Sequence, residues 1–356
     1  MKKIAVLVIS IVAMLVFLTT QAYADESHST LSAAHPKVTD PQNVGTTANN
    51  PAESAVVEGL EQWRRTMKQL STPGAGCFKA TYPKIEWKQM QETKAPAPPL
   101  SPSHRINSDN IGFRDDWSVK VKGLLSSVTG SFDSVSGVTS VTDYHRQNDF
   151  ELQLNSQSFD SPPICHGSDC QGWQQFLYSS NYPCRFYKGG NGCLYIQYSL
   201  SGYSEPCPKE WAAVSENQCI KNSKTCLIPP QTIARLADMS LTGVANADGD
   251  EAILSIGKTL YTMKASDNSL DLDNYWKAAQ FNIFGNGGGS LATFNPGSTI
   301  TVRVTVDSGT MTDTLTYEKN GYTAEANNLN LIGQPTILKQ PYPAIVFKES
   351  NVKAQE

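Results

Sequence analysis

The chain is expected to be all-β: an antiparallel β-sandwich of jelly-roll type, with a short N-terminal helix and a disulfide-rich insertion. Three observations predict this. Beyond Asp115 apolar residues recur at every second position, as half-buried antiparallel strands require. STITVRVTVDSG is the clearest case, with Ile300, Val302, Val304 and Val306 on one side and Thr301, Arg303 and Thr305 on the other. Hairpin-type turns punctuate these segments, Asp248-Gly249 between LTGVAN and EAILSI and Asn320-Gly321 between TLTYEK and YTAEAN. Helical periodicity, finally, is confined to one stretch near the N-terminus.

The elements follow in order. Lys2 and Lys3, the apolar run Ile4 to Leu18 and the small-x-small site Ala22-Tyr23-Ala24 read as a secretory signal peptide over residues 1–24. The run is short for a membrane span, so no membrane insertion is expected after cleavage. Residues 25–52 are rich in Thr, Ser, Asn, Pro and Ala, with too little apolar surface to offset ordering entropy, and read as a flexible leader. Over 53–72, Val56, Leu60, Trp63, Met67 and Leu70 recur at three- and four-residue steps, one stripe of an amphipathic helix. The sandwich is expected over 73–335, interrupted by a proline-rich loop at 92–108 and a Cys-rich region at 161–228, with a C-terminal tail at 336–356. Within it WSVKVKGLL alternates, and FELQLNSQSF puts Phe150, Leu152 and Leu154 on one side.

Eight cysteines, Cys77, Cys165, Cys170, Cys184, Cys193, Cys207, Cys219 and Cys226, form an even set in a chain that reads as exported. No Cys-x-x-Cys occurs, which argues against zinc and against thioredoxin-like redox chemistry and for four disulfides. Cys165–Cys170 and Cys184–Cys193 suit short clips, although eight cysteines allow 105 pairings. The location that follows is secreted or extracellular, periplasmic if the protein is retained there.

The formal net charge is −4, and −6 once Lys2 and Lys3 leave with the signal. With no basic run, nucleic acid is not the expected partner. No Gly-x-Ser-x-Gly, His-Glu-x-x-His or P-loop motif is present. His28 and His35 fall in the leader and His104 in the proline-rich loop; His145 reads as a hairpin-end residue and His166 as part of a disulfide loop. GNGGGS (285–290), flanked by FNIF and LATF, reads as a bulged turn and not a phosphate cradle. The acidic loops NADGDE (246–251) and DNSLDLDN (267–274) lack the EF-hand glycine placement and read as solvated turns. No metal and no cofactor is expected.

The remaining candidate site lies in GWQQFLY and LYIQYSL. As strands these place Gln174, Phe176 and Tyr178 on one face and Tyr195, Gln197 and Ser199 on another. Rings supply apolar contact and amides both donate and accept, which suits an extracellular carbohydrate or peptide ligand. Tyr182, Tyr187, Tyr203 and Trp211 extend the aromatic supply. That reading requires at least three of these rings to be exposed together.

GCFKATYP with Trp87 after it, then CQGWQQF, LYIQYSL and QFNIFGNGGGS, resemble a group of exported, uncharacterised bacterial proteins from about Cys77 to Leu331. That resemblance brings no activity with it. FNPGSTITVRVTVDSGT is similar to the late strand pair of glutamic peptidases of the eqolisin type, secreted acid proteases on a concanavalin-like sandwich. Glu325 in YTAEANNL falls where their glutamate strand would come, and Gln197 in LYIQYSL offers the glutamine. The resemblance implies a glutamate that activates water and a glutamine that helps stabilise the oxyanion. The Cys-rich block is foreign to that pattern. Three readings stand: a module binding carbohydrate or another surface ligand, an acid endopeptidase using Gln197 and Glu325, and a structural or adhesion protein without a small-ligand site.

Overall fold

Two-residue alternation forces strands to bury one face, and two such faces closed on each other make the body of this protein. The computed structural model describes residues 51–94, 116–167, 169–181, 192–203, 206–287, 289–308, 314–339 and 342–352. The signal peptide, the leader up to residue 50, the proline-rich loop beyond Lys94, His104, Tyr182, Cys184 and Tyr187 lie outside them.

Strands are numbered in chain order. The first sheet runs β2 (Lys88–Gln89), β1 (Gly76–Thr81), β17 (Thr259–Lys264), β16 (Glu251–Ile256), β15 (Met239–Val244), β5 (Ser127–Ser136), β20 (Thr299–Asp307), β24 (Ala344–Ser350), β23 (Asn330–Leu338). The second runs β12 (Ala212–Ser215), β13 (Gln218–Asn222), β11 (Gly192–Ser201), β10 (Gln171–Ser179), β8 (Glu151–Ser156), β18 (Ala278–Phe284), β4 (Trp117–Lys120), β21 (Thr316–Lys319). Beside it, β14 (Lys224–Ile228) pairs with β11, β3 (Glu92–Lys94) with β14, and β9 (Phe159–Asp160) with β10. A small third sheet joins β22 (Ala326–Asn327), β19 (Leu291–Phe294), β6 (Val141–Asp143) and β7 (Arg146–Gln147). Among the described residues every strand pairing is antiparallel except β19 with β22. The antiparallel pairs β4/β18 and β5/β20 lie in opposite sheets, so consecutive strands cross from one layer to the other. The all-β sandwich with a disulfide-rich region is therefore what the chain forms.

Between the sheets lies one hydrophobic core that includes Leu152, Leu154, Phe176, Phe281, Leu241 and Val302. Glycine makes room for two of its rings. A Cβ on Gly130 of β5 would fall within the ring of Phe281, and one on Gly243 of β15 within that of Phe176. The expected alternation in β20 is present, with Ile300, Val302, Val304 and Val306 all buried.

Helix α1 (Pro51–Gln69) covers the outer face of the first sheet, where Trp63 and Met67 pack on Ala80, Ile253 and Leu260. Trp63 Nε1 donates to Lys84 O at 2.8 Å, and Arg64 Nη2 to Gly257 O at 2.6 Å. The ends of the expected stripe do not pack: Val56 and Leu70 are exposed.

Four expectations need correction. Residues after 335 are not a tail, because β24 is an interior strand between β20 and β23. Asn320-Gly321 closes no hairpin; β21 pairs with β4 and β22 with β19, so partners distant in sequence outcompete the local turn. FNIF and LATF, on either side of GNGGGS, do not pair with each other as a bulged turn would require, since β18 and β19 belong to different sheets. The proline-rich loop begins later than Glu92, because Glu92–Lys94 is paired as β3.

The disulfides are part of the frame. Cys165–Cys170 clips the turn before β10, as the short spacing suggested, and Cys207–Cys219 ties a loop to β13. Cys77–Cys226 is long-range, closing 149 residues and joining β1 of the first sheet to β14 beside the second. Cys193 is also disulfide-bonded. No helix among the described residues is long and apolar enough to cross a membrane.

Candidate functional site

The side of the second sheet turned away from Leu152, Leu154 and Phe176 is rich in amides, because its strands alternate apolar residues with amides (ELQLNS, GWQQFLY, YIQYS and AQFNI), and most of these amides are buried. The register turns these scattered amides into a row. Ser118 of β4 lies opposite Gln280, Gln280 opposite Asn155, Asn155 opposite Gln175, Gln175 opposite Gln197, and Gln197 opposite Asn222. Six adjacent strands thus present hydroxyl and carboxamide groups in line, over about 24 Å at ordinary strand spacing.

Hydrogen bonds join the row. Gln175 Nε2 donates to Asn155 Oδ1 (2.8 Å) and Gln153 Oε1 (3.1 Å), and Gln197 Nε2 to Asn222 Oδ1 (3.1 Å). Gln280 Nε2 donates to Asp116 Oδ2 at 2.7 Å, while its Oε1 accepts the Tyr322 backbone N–H at 2.5 Å. The segment carrying Tyr322 therefore closes the Gln280 end. At the other end Gln197 and Asn222 are only partly buried or near the surface, and Asn222 lines an open cavity of about 290 Å³ with Glu92, Thr93, Lys94, Ser223 and Lys224.

One step along the strands from the row, Trp173 lies opposite Ser199. The Trp173 side chain is half-buried, while Ser199 is almost fully buried. The indole Nε1 and the Ser199 hydroxyl are both shielded from solvent, and neither has a hydrogen-bond partner among the described residues. Buried donors are ordinarily satisfied, so two orphans side by side beside a carboxamide row mark this corner out.

Two steps the other way lies Glu151, to which Gln153 Nε2 donates at 2.8 Å. Burial pushes its carboxyl well above the usual range, and the carboxylates of Glu325, Asp149 and Asp143 push in the same direction. Burial likewise raises the Tyr195 phenol, with Glu151 and Glu325 as further causes. Glu325 itself accepts the Gly289 N–H at 3.2 Å and the Thr323 hydroxyl.

The expected binding set is thus divided between two faces. Gln174, Phe176 and Tyr178 point inward and are fully buried, Phe176 against Trp276 and Gln174 on the carboxyl of Asp250. They cannot form a ligand surface, because their side of the strand is the core. Tyr195 and Gln197 lie on the polar face, but Tyr195 packs with Leu177, Cys193 and Leu227. Tyr203 is buried and Trp211 partly buried, so the described members of the expected aromatic set do not form an exposed cluster. Gln197 and Glu325 do not hydrogen-bond each other: Gln197 is paired with Asn222, and Glu325 with Gly289 and Thr323.

Gln153, Asn155, Gln175, Gln280 and Trp173 were not singled out from the sequence, whereas Ser199 was placed on the Gln197 face. A signal was present, since amides at alternate strand positions define a polar face, but their alignment across strands depends on register. His145 sits at the β6–β7 turn and His166 within the Cys165–Cys170 loop, both exposed. No cluster of three or more His, Cys, Asp or Glu placed to hold a metal occurs among the described residues.

No protein-family model matches the chain, and no curated protein matches it.

Proposed function

We propose that the protein is exported and binds carbohydrate at the open end of the carboxamide row. The observation that carries this reading is the Trp173–Ser199 corner, where a half-buried indole and two unpaired donors sit beside Gln197 and Asn222. A sugar ring offers an apolar face to an indole and hydroxyls that both donate and accept, which are the groups this corner leaves unsatisfied. The neighbouring cavity extends the polar lining with Thr93, Ser223 and Lys224. Disulfide bonds fit an oxidising, extracytoplasmic setting.

Tryptophan fluorescence and calorimetric titration against a panel of soluble polysaccharides test the proposal. Trp173→Ala and Gln197→Ala are each expected to weaken binding at least about tenfold, the loss of one good contact of about 1.4 kcal/mol. Gln174→Ala should leave affinity unchanged, since Gln174 faces the core. Absence of binding across the panel, or equal binding by Trp173→Ala, would reject the reading. Peptide cleavage at acid pH that disappears in Glu325→Gln would put the acid endopeptidase in its place.

A further inference from the structure

Three side-chain groups on the amide-rich side of the second sheet are shielded from solvent without a hydrogen-bond partner among the described residues: Trp173 Nε1, Ser199 Oγ and Thr225 Oγ1. Thr225 of β14 stands on that side because it is two residues from Leu227, which lies opposite Cys193 and packs with Tyr195. Its neighbour on β3 is Thr93, which lines the open cavity. Trp173 and Ser199 share their row with Ile220 of β13, a half-buried apolar residue. Gln197 and Asn222, opposite each other and half-buried, come between the two ends. Leu194 pairs with Cys226, so Tyr195 comes level with Thr225. From the Ser199 row to the Tyr195 row β11 rises by about 14 Å.

Groups of this kind are a cost to the fold, since each gives up its bonds to water and gains none from the protein. Valine at 225 or alanine at 199 would keep the shape without that cost. The hydroxyls therefore point to a ligand that supplies the missing partners. The cavity, at about 290 Å³, lies at the lower end of the range for small-ligand pockets, and Trp173 and Ser199 are not part of its lining. A ligand that meets both ends must extend along the strand.

We infer, resting on the carbohydrate reading of the same corner, that the ligand is an extended β-1,4-linked oligosaccharide lying along β11. One ring sits on Trp173, and another reaches Thr225 and the cavity. Chains of β-1,4-linked pyranoses are straight, as a track along one strand requires, whereas α-1,4-linked chains coil. Sugar hydroxyls both donate and accept, so they satisfy Ser199 and Thr225 in either sense and accept from the indole N–H. The indole and Ile220 supply apolar contact to the ring faces.

The test is calorimetric titration of the oxidised protein with cello- and chito-oligosaccharides, from mono- to hexasaccharide, with malto-oligosaccharides for comparison. In at least one β-1,4 series affinity should rise at least about tenfold from disaccharide to tetrasaccharide and then level off. Thr225→Val should remove most of that gain and leave disaccharide affinity within about twofold. Because the Thr225 hydroxyl has no partner, the same variant should unfold at an equal or higher denaturant concentration, which separates a role in binding from one in folding. Affinity independent of length, a gain that Thr225→Val leaves intact, a destabilised Thr225→Val protein or a preference for the malto series overturns the inference. So does binding of a polysaccharide without binding of either β-1,4 series. In each of those cases the carbohydrate reading stands if binding still needs Trp173, whereas no binding of any oligosaccharide or polysaccharide rejects that reading and the inference with it.

Discussion

Replacing Gly130 by alanine tests the packing of the two sheets at its tightest point. The added Cβ would fall within the ring of Phe281, close to Cγ and both Cδ atoms. To regain carbon–carbon contact the ring must retreat by about 1.5 Å. Phe281 is fully buried and already packs on Phe132 at 5.5 Å between ring centres, so that retreat moves a second ring. Overpacking of this kind costs about 1–3 kcal/mol, and the depth of the clash argues for the upper end. Reduced freedom of the unfolded chain returns about 0.4–1 kcal/mol, leaving a net loss of about 2 kcal/mol. Urea denaturation of the oxidised protein measures it, with an unchanged m-value confirming that native stability moved. In a Phe281→Leu background, where the ring is gone, the same substitution should cost under about 1 kcal/mol, a coupling above about 1 kcal/mol. A loss below about 0.5 kcal/mol, or equal losses in both backgrounds, would refute this account of why glycine stands there.

Two further outcomes follow from the frame. Replacing Cys77 and Cys226 together by serine should cost about 5 kcal/mol on the chain-entropy account, because the bridge closes a 149-residue loop. Denaturant midpoints read this loss, and a cost no larger than that of opening the 5-residue Cys165–Cys170 loop would contradict the account. Trp63→Ala should cost about 3–5 kcal/mol and expose α1 to limited proteolysis, because Trp63 is buried on the first sheet and anchored to Lys84; an unchanged cleavage pattern would show that the helix does not depend on it.

Much of the local structure could be read without coordinates. A period of two marked β8, β10, β11 and β20, and Asp248-Gly249 does close the β15–β16 hairpin. Even the division of Gln174 from Gln197 between opposite sides was implicit in the alternation. Which side would face the core was not, and there the expected ligand surface failed: Phe176 and Tyr178 supply core, whereas Gln175 faces the polar side. For Gln197 and Glu325 the motifs did not specify what each would hydrogen-bond, and Glu325 lies just before β22 and not in a strand.

The sequence by itself determined that the chain would be β-rich, that amides and apolar residues would part to opposite faces, and that its cysteines would be bridged. Those properties depend on spacing along one strand and on residue chemistry. Tertiary structure decided that Ser118, Gln280, Asn155, Gln175, Gln197 and Asn222 stand in one row, and that Cys77 meets Cys226 across the sandwich. It also brought Asp250 onto Gln174 and Glu349 onto Asn282. Register and sheet-to-sheet contact join residues far apart in the chain, and they are selected by burial of the whole core, which local periodicity does not encode.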